Sequence, residues 1–551
     1  MKRQILKKPD RVLAVAQRLG LASTIILAGA IPAVAQGGSQ FFSPGNLVLS
    51  RSVYDNNPNN VQVGELLPPG CSSTQAGCSG NASNDGTYPY VWNNDVVDGS
   101  FGITSAIYLD QYTPAGVFIN SLEVPNSSQK GVPPQKDQLV TSFSSKSELA
   151  LNLSLDGQYL TFMGYYSPVD NLDVSNSNTP LEIDPTNPVG ISYYRAVAQV
   201  DGHGKFRFTE TNAYSGNNGR AAILNNTNGA NLLYTAGNAG NGGNPQPDGI
   251  IIGAGAQILI PQTKAMIAQR PGDPTPVASF NITQLGDKPD KIGKDTNFRG
   301  LTIFNNVLYY SKGSGGNGVN TVYFVDPTGS VCNDTTGVGL PPAGATLPLS
   351  PLAYDPSVLQ TMGLDPNNMC VLNGFPTALK SKTSFPFGIW FANANTVYVA
   401  DEGNGDNTYD SSSMTYTGAA AQTTAGLQKW TFNSSTGSWS LAYVLQAGLA
   451  LGVPYTVSGY PTGDNSETGL PWAPGTDGLR NITGVDNGDG TATIYAITST
   501  VSGNGDQGAD PNELVAITDT ISATTLPSGE SFTTLVTAGF AEVLRGVSFA
   551  P

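Results

Sequence analysis

Four arginines stand at the head of short apolar runs: Arg220, Arg299, Arg480 and Arg545. A guanidinium is a rigid fork of N–H donors that fits a carboxylate or sulfate two bonds at a time. If the chain brings these four together, they form an anion site, and an acidic sugar or a small organic acid is the rational ligand. The alternative is that each arginine pairs with a neighbouring Asp or Glu and fastens the fold. A second group is oxygen-rich: Asp401-Glu-Gly-Asn-Gly-Asp406 offers Asp401, Glu402 and Asp406 as metal ligands. Calcium takes about six to eight oxygens, which Asp/Asn/Gly loops can supply. The turns Asp486–Gly490 and Asn504–Asp510 are similarly acidic, but none has EF-hand spacing, and Asp-Gly and Asn-Gly are also ordinary residues of tight turns.

Other chemistry is excluded by scarcity. The chain has one histidine, His203. A Ser-His-Asp triad would have to use it, yet it lies between two glycines in a predicted hairpin turn, and no Gly-x-Ser-x-Gly elbow is present. A lyase using Tyr or Lys as base and Arg to clamp a uronate is compatible with these residues. Tyr159, Tyr234, Tyr309, Tyr398 and Tyr495 recur on strands, where aromatic residues are also ordinary formers. The four cysteines, Cys71, Cys78, Cys332 and Cys370, read as two disulfides if the chain is exported. Of three connectivities, Cys71–Cys78 with Cys332–Cys370 is expected, because each pair lies within one loop.

The elements that would position the arginines form a repeated hairpin. Arg or Phe is followed by a small residue, an apolar strand, a turn and a returning strand with Tyr. The copies begin at Arg299-Gly-Leu-Thr-Ile-Phe, Phe387-Gly-Ile-Trp-Phe and Arg480-Asn-Ile-Thr-Gly, with relatives at Arg220 and near Leu151. Half a copy, Arg545-Gly-Val-Ser-Phe-Ala-Pro551, stands alone. It completes a blade with strands near 46–51, 106–111 and 117–124. The reading is an all-β chain folded as a six-bladed β-propeller over 45–551, closed by the C-terminal strand joining the N-terminal blade. Seven blades is the alternative if 331–384 hides a degenerate one. Loop insertions are expected near 54–104, 331–384 and 403–425, the second with a short helix at Asp355–Gly363.

The stretch Phe385-Pro-Phe-Gly-Ile through Val397-Tyr-Val-Ala-Asp401 resembles one repeat of the NHL and gluconolactonase-like six-bladed propellers, and the chain resembles secreted bacterial β-propeller proteins of undefined activity. The gluconolactonase likeness implies a metal at the channel centre, for which Glu148, Asn481 and Asp401 are the nearest candidates. They do not complete a ligand set.

Lys2, Arg3, Lys7, Lys8, Arg11 and Arg18 precede an apolar run, Leu19–Ala30, and Ala33-Val-Ala35. Residues 1–35 are therefore expected to be a signal peptide, followed by a flexible leader over 36–44 and a secreted or periplasmic protein. Without 1–35 the chain carries 20 Lys plus Arg against 40 Asp plus Glu. That charge disfavours nucleic acid, and no later stretch is long and apolar enough for a membrane helix. A monomer is expected. Two functions follow: a binding or interaction module for an anionic ligand at the channel mouth, or an extracellular histidine-independent enzyme. The enzyme would be a lyase on acidic carbohydrate or a calcium-dependent sugar-lactone hydrolase.

Overall fold

The computed structural model describes residues 40–67, 81–82, 102–129, 138–180, 189–238, 255–262, 297–313, 319–328, 330–331, 337–349, 369–378 and 381–551. Six sheets, each led by one inner strand, form six blades. Blade one runs outward as Glu542–Phe549, Leu47–Val53, Thr104–Tyr112 and Phe118–Glu123. Its inner strand pairs antiparallel with Leu47–Val53, Val547 opposite Leu49, as expected for closure. Blade two is Asn152–Leu153, Tyr159–Tyr165, Arg195–Asp201 and Phe206–Thr211. Blade three shows Gly219–Asn225, Leu232–Gly237 and Ala256–Leu259. Blade five is Pro386–Asn393, Thr396–Asp401, Gly426–Asn433 and Ser438–Leu445, and blade six is Gly475–Asp486, Thr491–Val501, Glu513–Thr520 and Thr533–Thr537.

Blade four differs from expectation. After Phe298–Phe304, Val307–Lys312 and Thr321–Val325 it takes Met369–Leu372 as its fourth strand, and Val338–Gly339 adds in parallel beyond it. Parts of 331–384 are thus blade rather than insertion. Tyr323 and Phe324 pair with the buried run Met369-Cys-Val-Leu372, whose apolar side chains need that cover. The 403–425 insertion carries a small hairpin, Tyr409–Asp410 with Thr415–Tyr416, and a single helical turn, Thr417–Ala420. The expected signal peptide, the Asp355–Gly363 helix and Cys71, Cys78 and Cys332 lie outside the described residues. Cys370 is buried and is not a free thiol.

The inner strands touch in a closed cycle, blade one to two and onward through six back to one. The apolar core is divided between the blades. One layer joins blades one and two through Val48, Leu109, Leu160 and Ala198. Another joins five and six through Tyr398, Leu427, Ile494 and Val515, and a third joins six to one through Ile497, Leu514, Leu544 and Val547. Burying such side chains contributes about 1.5–3 kcal/mol each, so each blade depends on both neighbours.

The small residue after each lead Arg or Phe has a specific cause. A Cβ on Gly300 would stand 2.5 Å from the Phe387 carbonyl oxygen, and one on Gly388 would stand 2.6 Å from that of Arg480. Gly546 meets Leu149 O and Leu151 N in the same way, which makes Leu149 the lead residue of blade two. Hydroxyls add a second fastening: Ser50 Oγ donates to Leu149 O at 2.7 Å, and Ser311 Oγ donates to Phe387 O. Between blades five and six, Lys429 Nζ donates to Asp519 Oδ2 and Tyr443 Oη, each at 2.8 Å, and to Thr520 O at 2.6 Å. Tyr398 and Tyr443 donate to the same Asp519 carboxylate. Lys429 and Asp519 have no exposed side-chain surface.

Candidate functional site

The six lead residues are Arg545, Leu149, Arg220, Arg299, Phe387 and Arg480, one for each blade in order. Because the inner strands run side by side around one axis, their starts ring one mouth of the channel. Arg220, Arg299 and Arg480 lie within electrostatic reach of their neighbours in this order, and Arg545 holds the equivalent position in blade one. Leu149 adopts a left-handed backbone, φ 63°, which few non-glycine residues do. That turn sets Glu148, the preceding residue, beside the mouth.

The arginines are buried, and their partners differ. Glu402 is shared: its Oε1 lies 3.4 Å from Arg299 Nη2 and its Oε2 lies 3.2 Å from Arg480 Nε. Side-chain exposure is 10% for Arg299, 7% for Arg480 and 10% for Glu402, so a little of each side chain remains exposed. Arg299 also donates to Ser147 Oγ, and its guanidinium lies 5.9 Å from the centre of the Phe387 ring. Arg220 donates to Asn218 Oδ1 at 3.0 Å, to Phe298 O at 2.9 Å and to Asn297 Oδ1. Arg545 donates to Ser52 Oγ at 3.3 Å, to Gly508 O at 3.2 Å and to Phe143 O.

The electrostatics reflect crowded cations. Arg220 is held well below the usual arginine range, first by burial and then by the charge of Arg299; Glu402 and Glu148 act in the opposite sense. Arg299 is likewise lowered by burial, with Glu402 raising it and Arg480 lowering it. Glu148 is engaged by Thr141 Oγ1 at 2.6 Å, Ser142 N at 3.0 Å, Asn218 Nδ2 at 3.3 Å and the Tyr165 hydroxyl. Asp477, beneath the mouth, is pushed up to about 7, mainly by burial, against hydrogen bonds from Gly405 and Gln422.

The three residues considered for calcium do separate things. Asp401 is a turn hub: Oδ2 accepts from Ser384 Oγ and Phe385 N at 2.8 Å and Gln428 Nε2 at 2.9 Å, and Oδ1 accepts from Gly403 N at 3.0 Å. Burial pushes it up to about 6. Asp406 Oδ1 receives Thr408 N and Oγ1, and Glu402 faces the arginines. Asn481 Oδ1 accepts from Val547 N at 2.7 Å, joining blades six and one. Among the described residues no group of three or more His, Cys, Asp or Glu stands together to hold a metal ion. His203 is an exposed turn residue whose N–H donates to Asp201 Oδ1. The tyrosine best placed near the arginines, Tyr165, is moved well above its usual value by burial and then by Glu148, the wrong direction for a base.

Sequence reasoning found the arginines and missed their arrangement. Glu402 was singled out for calcium, and its position one residue past Asp401 at a strand end could equally have placed it opposite Arg480. Leu149 and Ser147 gave no signal.

The ring of six sheets defines the class, a six-bladed β-propeller. No family model matches the chain, and no curated protein matches it. Among solved structures it is similar to an ulvan lyase of polysaccharide lyase family PL25, at 12% identity and a TM-score of 0.27, covering 81% of this chain and 90% of that one. It is also similar to a point variant of the apocarotenoid oxygenase of Synechocystis, at 9% identity and a TM-score of 0.27, covering 81% of this chain and 72% of that one. Similarities of this size carry no argument about activity.

Proposed function

We propose that the protein is an exported binding module that takes a small anionic group at the arginine mouth. One observation carries the reading: Glu402 is the carboxylate in ion-pair contact with both Arg299 and Arg480, while Arg299 in turn repels Arg220. Positive charge is concentrated there in a protein whose formal net charge is −15. An anion settling against Arg299 and Arg480 would relieve repulsion that the fold leaves in place. The little side-chain surface left exposed favours the acidic terminus of a ligand or a small organic acid over the middle of a polysaccharide. No observation favours the lyase or the calcium-dependent hydrolase, and the disulfides Cys71–Cys78 and Cys332–Cys370 belong to the proposal of export.

The test is calorimetric titration of glucuronate, galacturonate and sulfate into the wild-type protein and into Arg299→Ala and Arg480→Ala, each checked for folding by circular dichroism. Saturable binding to wild type that both variants lose supports the reading, and a chelator should leave it unchanged. Absence of binding by all three anions, or equal binding by the variants, would overturn it.

A further inference from the structure

At the opposite, hairpin-turn end of blades four and five lies a pocket of about 280 Å³. Its walls include Phe304, Tyr309, Phe391 and Trp439, with Asn305 and Asn306 at its edge and the segment 341–345 along one side. The rings are held by one another: Phe304 stacks on Phe391 at 4.7 Å, and Tyr309 meets Phe391 at 4.6 Å. The lining holds no Asp, Glu, Lys, Arg or His, and Tyr309 is pushed far above its usual value by burial. The pocket is therefore neutral in a strongly acidic protein.

The turn is the unusual part. Asn305 and Asn306 link Phe298–Phe304 to Val307–Lys312 with φ of 49° and 59°. Two left-handed residues are what a two-residue hairpin needs, and the usual second residue is Gly. Within the longer loop of blade three, the tight turn closed by Ala230 N donating to Thr227 O does use Gly, with Asn228 at 52° and Gly229 at 79°. Blade four keeps an Asn where Gly would remove the strain. Other turn asparagines use their side chains locally; Asn393 Oδ1, for example, accepts from Asn395 N at 2.8 Å. Within the described residues the exposed side-chain amides of Asn305 and Asn306 make no hydrogen bond. Each amide offers two donors and an acceptor oxygen, beside aromatic rings, at an exposed position.

We infer that this pocket is a second ligand site, for one neutral sugar ring. A pyranose presents C–H faces that pack on aromatic rings and hydroxyls that need both donors and acceptors, and it carries no charge. Pockets that bind small molecules set a few placed polar groups beside aromatic walls. Here Phe304 is the half-buried ring, Tyr309, Phe391 and Trp439 are largely buried behind it, and a volume of about 280 Å³ suits one ring rather than a long chain. The backbone strain at Asn306 is then the cost of keeping an amide at the rim. The site lies on different residues from the arginine mouth and does not depend on it.

The experiment uses saturation-transfer NMR and tryptophan fluorescence with methyl β-glucopyranoside, methyl β-galactopyranoside and methyl β-xylopyranoside. Asn306→Gly relaxes the turn and removes one amide; Ala394→Trp fills the pocket from its exposed rim. The expected result is saturable binding of at least one glycoside, weakened about tenfold by Asn306→Gly and abolished by Ala394→Trp. Asn306→Gly should at the same time raise the melting temperature, which separates lost binding from lost fold. Arg299→Ala should bind the glycoside as wild type does. The inference is overturned if no glycoside saturates the wild-type protein, or if both pocket variants bind unchanged.

Discussion

Two buried cation clusters in this propeller are built in opposite ways. Between blades five and six, Lys429 meets a carboxylate, a phenol and a carbonyl, and the carboxylate accepts from that phenol and from one further tyrosine hydroxyl. Every strong donor and acceptor there is turned inward and the cluster is closed. At the channel mouth, Arg299 and Arg480 divide one glutamate. Arg220 and Arg545 donate to amide, hydroxyl and backbone oxygens. Burying a charge is tolerable when it is paired and hydrogen-bonded. The first cluster meets that condition with Asp519, whose carboxylate also holds a neighbouring carboxyl, Glu530, raised to about 7 by burial and by Asp519. The second shares Glu402 between Arg299 and Arg480, sets Glu148 near Arg220, and completes its hydrogen bonds largely with neutral oxygens. The difference suggests which cluster serves the fold and which retains capacity for something else.

The contrast can be broken at several points. The largest effect should come from Asp519→Ala, which leaves Lys429 buried without its counter-charge; a loss of about 3–5 kcal/mol is expected in urea unfolding, and sulfate should not restore it. Removing Glu402 as Glu402→Gln should cost less, about 1–3 kcal/mol, and here sulfate should restore stability by occupying the vacated place between the arginines. If sulfate rescues both variants or neither, the two clusters are not different in kind.

Next is pH. Asp477, at about 7, and Asp401, at about 6, both sit above their ordinary value of 3.8. A carboxyl whose folded value is raised is held protonated by the fold, so stability falls as pH rises from about 4 to about 7 and is level beyond. Asp477→Asn should flatten part of that fall in thermal melts between pH 4 and 8. An unchanged profile would mean Asp477 is not a source of it. The smallest effect belongs to Arg299→Lys, which keeps the charge and loses the fork. Anion affinity should drop about three- to tenfold, while the retained charge keeps its pairing to Glu402.

Much of the ring was legible because its rules are local. A lead Arg or Phe marks an inner strand, and after Arg299, Phe387 and Arg545 the structure supplies the reason for the glycine: at Gly300, Gly388 and Gly546 a side chain would meet the backbone of the next blade. The half-copy at Arg545 was readable for the same reason. Blade two was harder, because its lead residue is a leucine in a left-handed conformation that no propensity anticipates. The fourth strand of blade four was hidden in a Pro- and Gly-rich stretch, since Met369–Leu372 is only four residues long. In the candidate site, the arginines were visible as a pattern, but their partners were not. Ser147, Glu402 and Asn297 come from other blades or loops, and which oxygen faces which guanidinium is decided by packing. The acidic run at Asp401–Asp406 shows the same limit, since one short string holds a turn hub, an ion-pair bridge and a second turn.

The closure of blade one has a consequence for the order of events. Arg545 and Ser52 touch across 493 positions of sequence. Strand Leu47–Val53 therefore waits, with its inner edge unpaired, until nearly all the rest of the chain exists. An unpaired edge is a template for wrong pairing, and contacts so distant in sequence form slowly. That edge is open from the synthesis of Leu47–Val53 until that of Glu542–Phe549, and the strand that pairs with it both completes the ring and covers the edge.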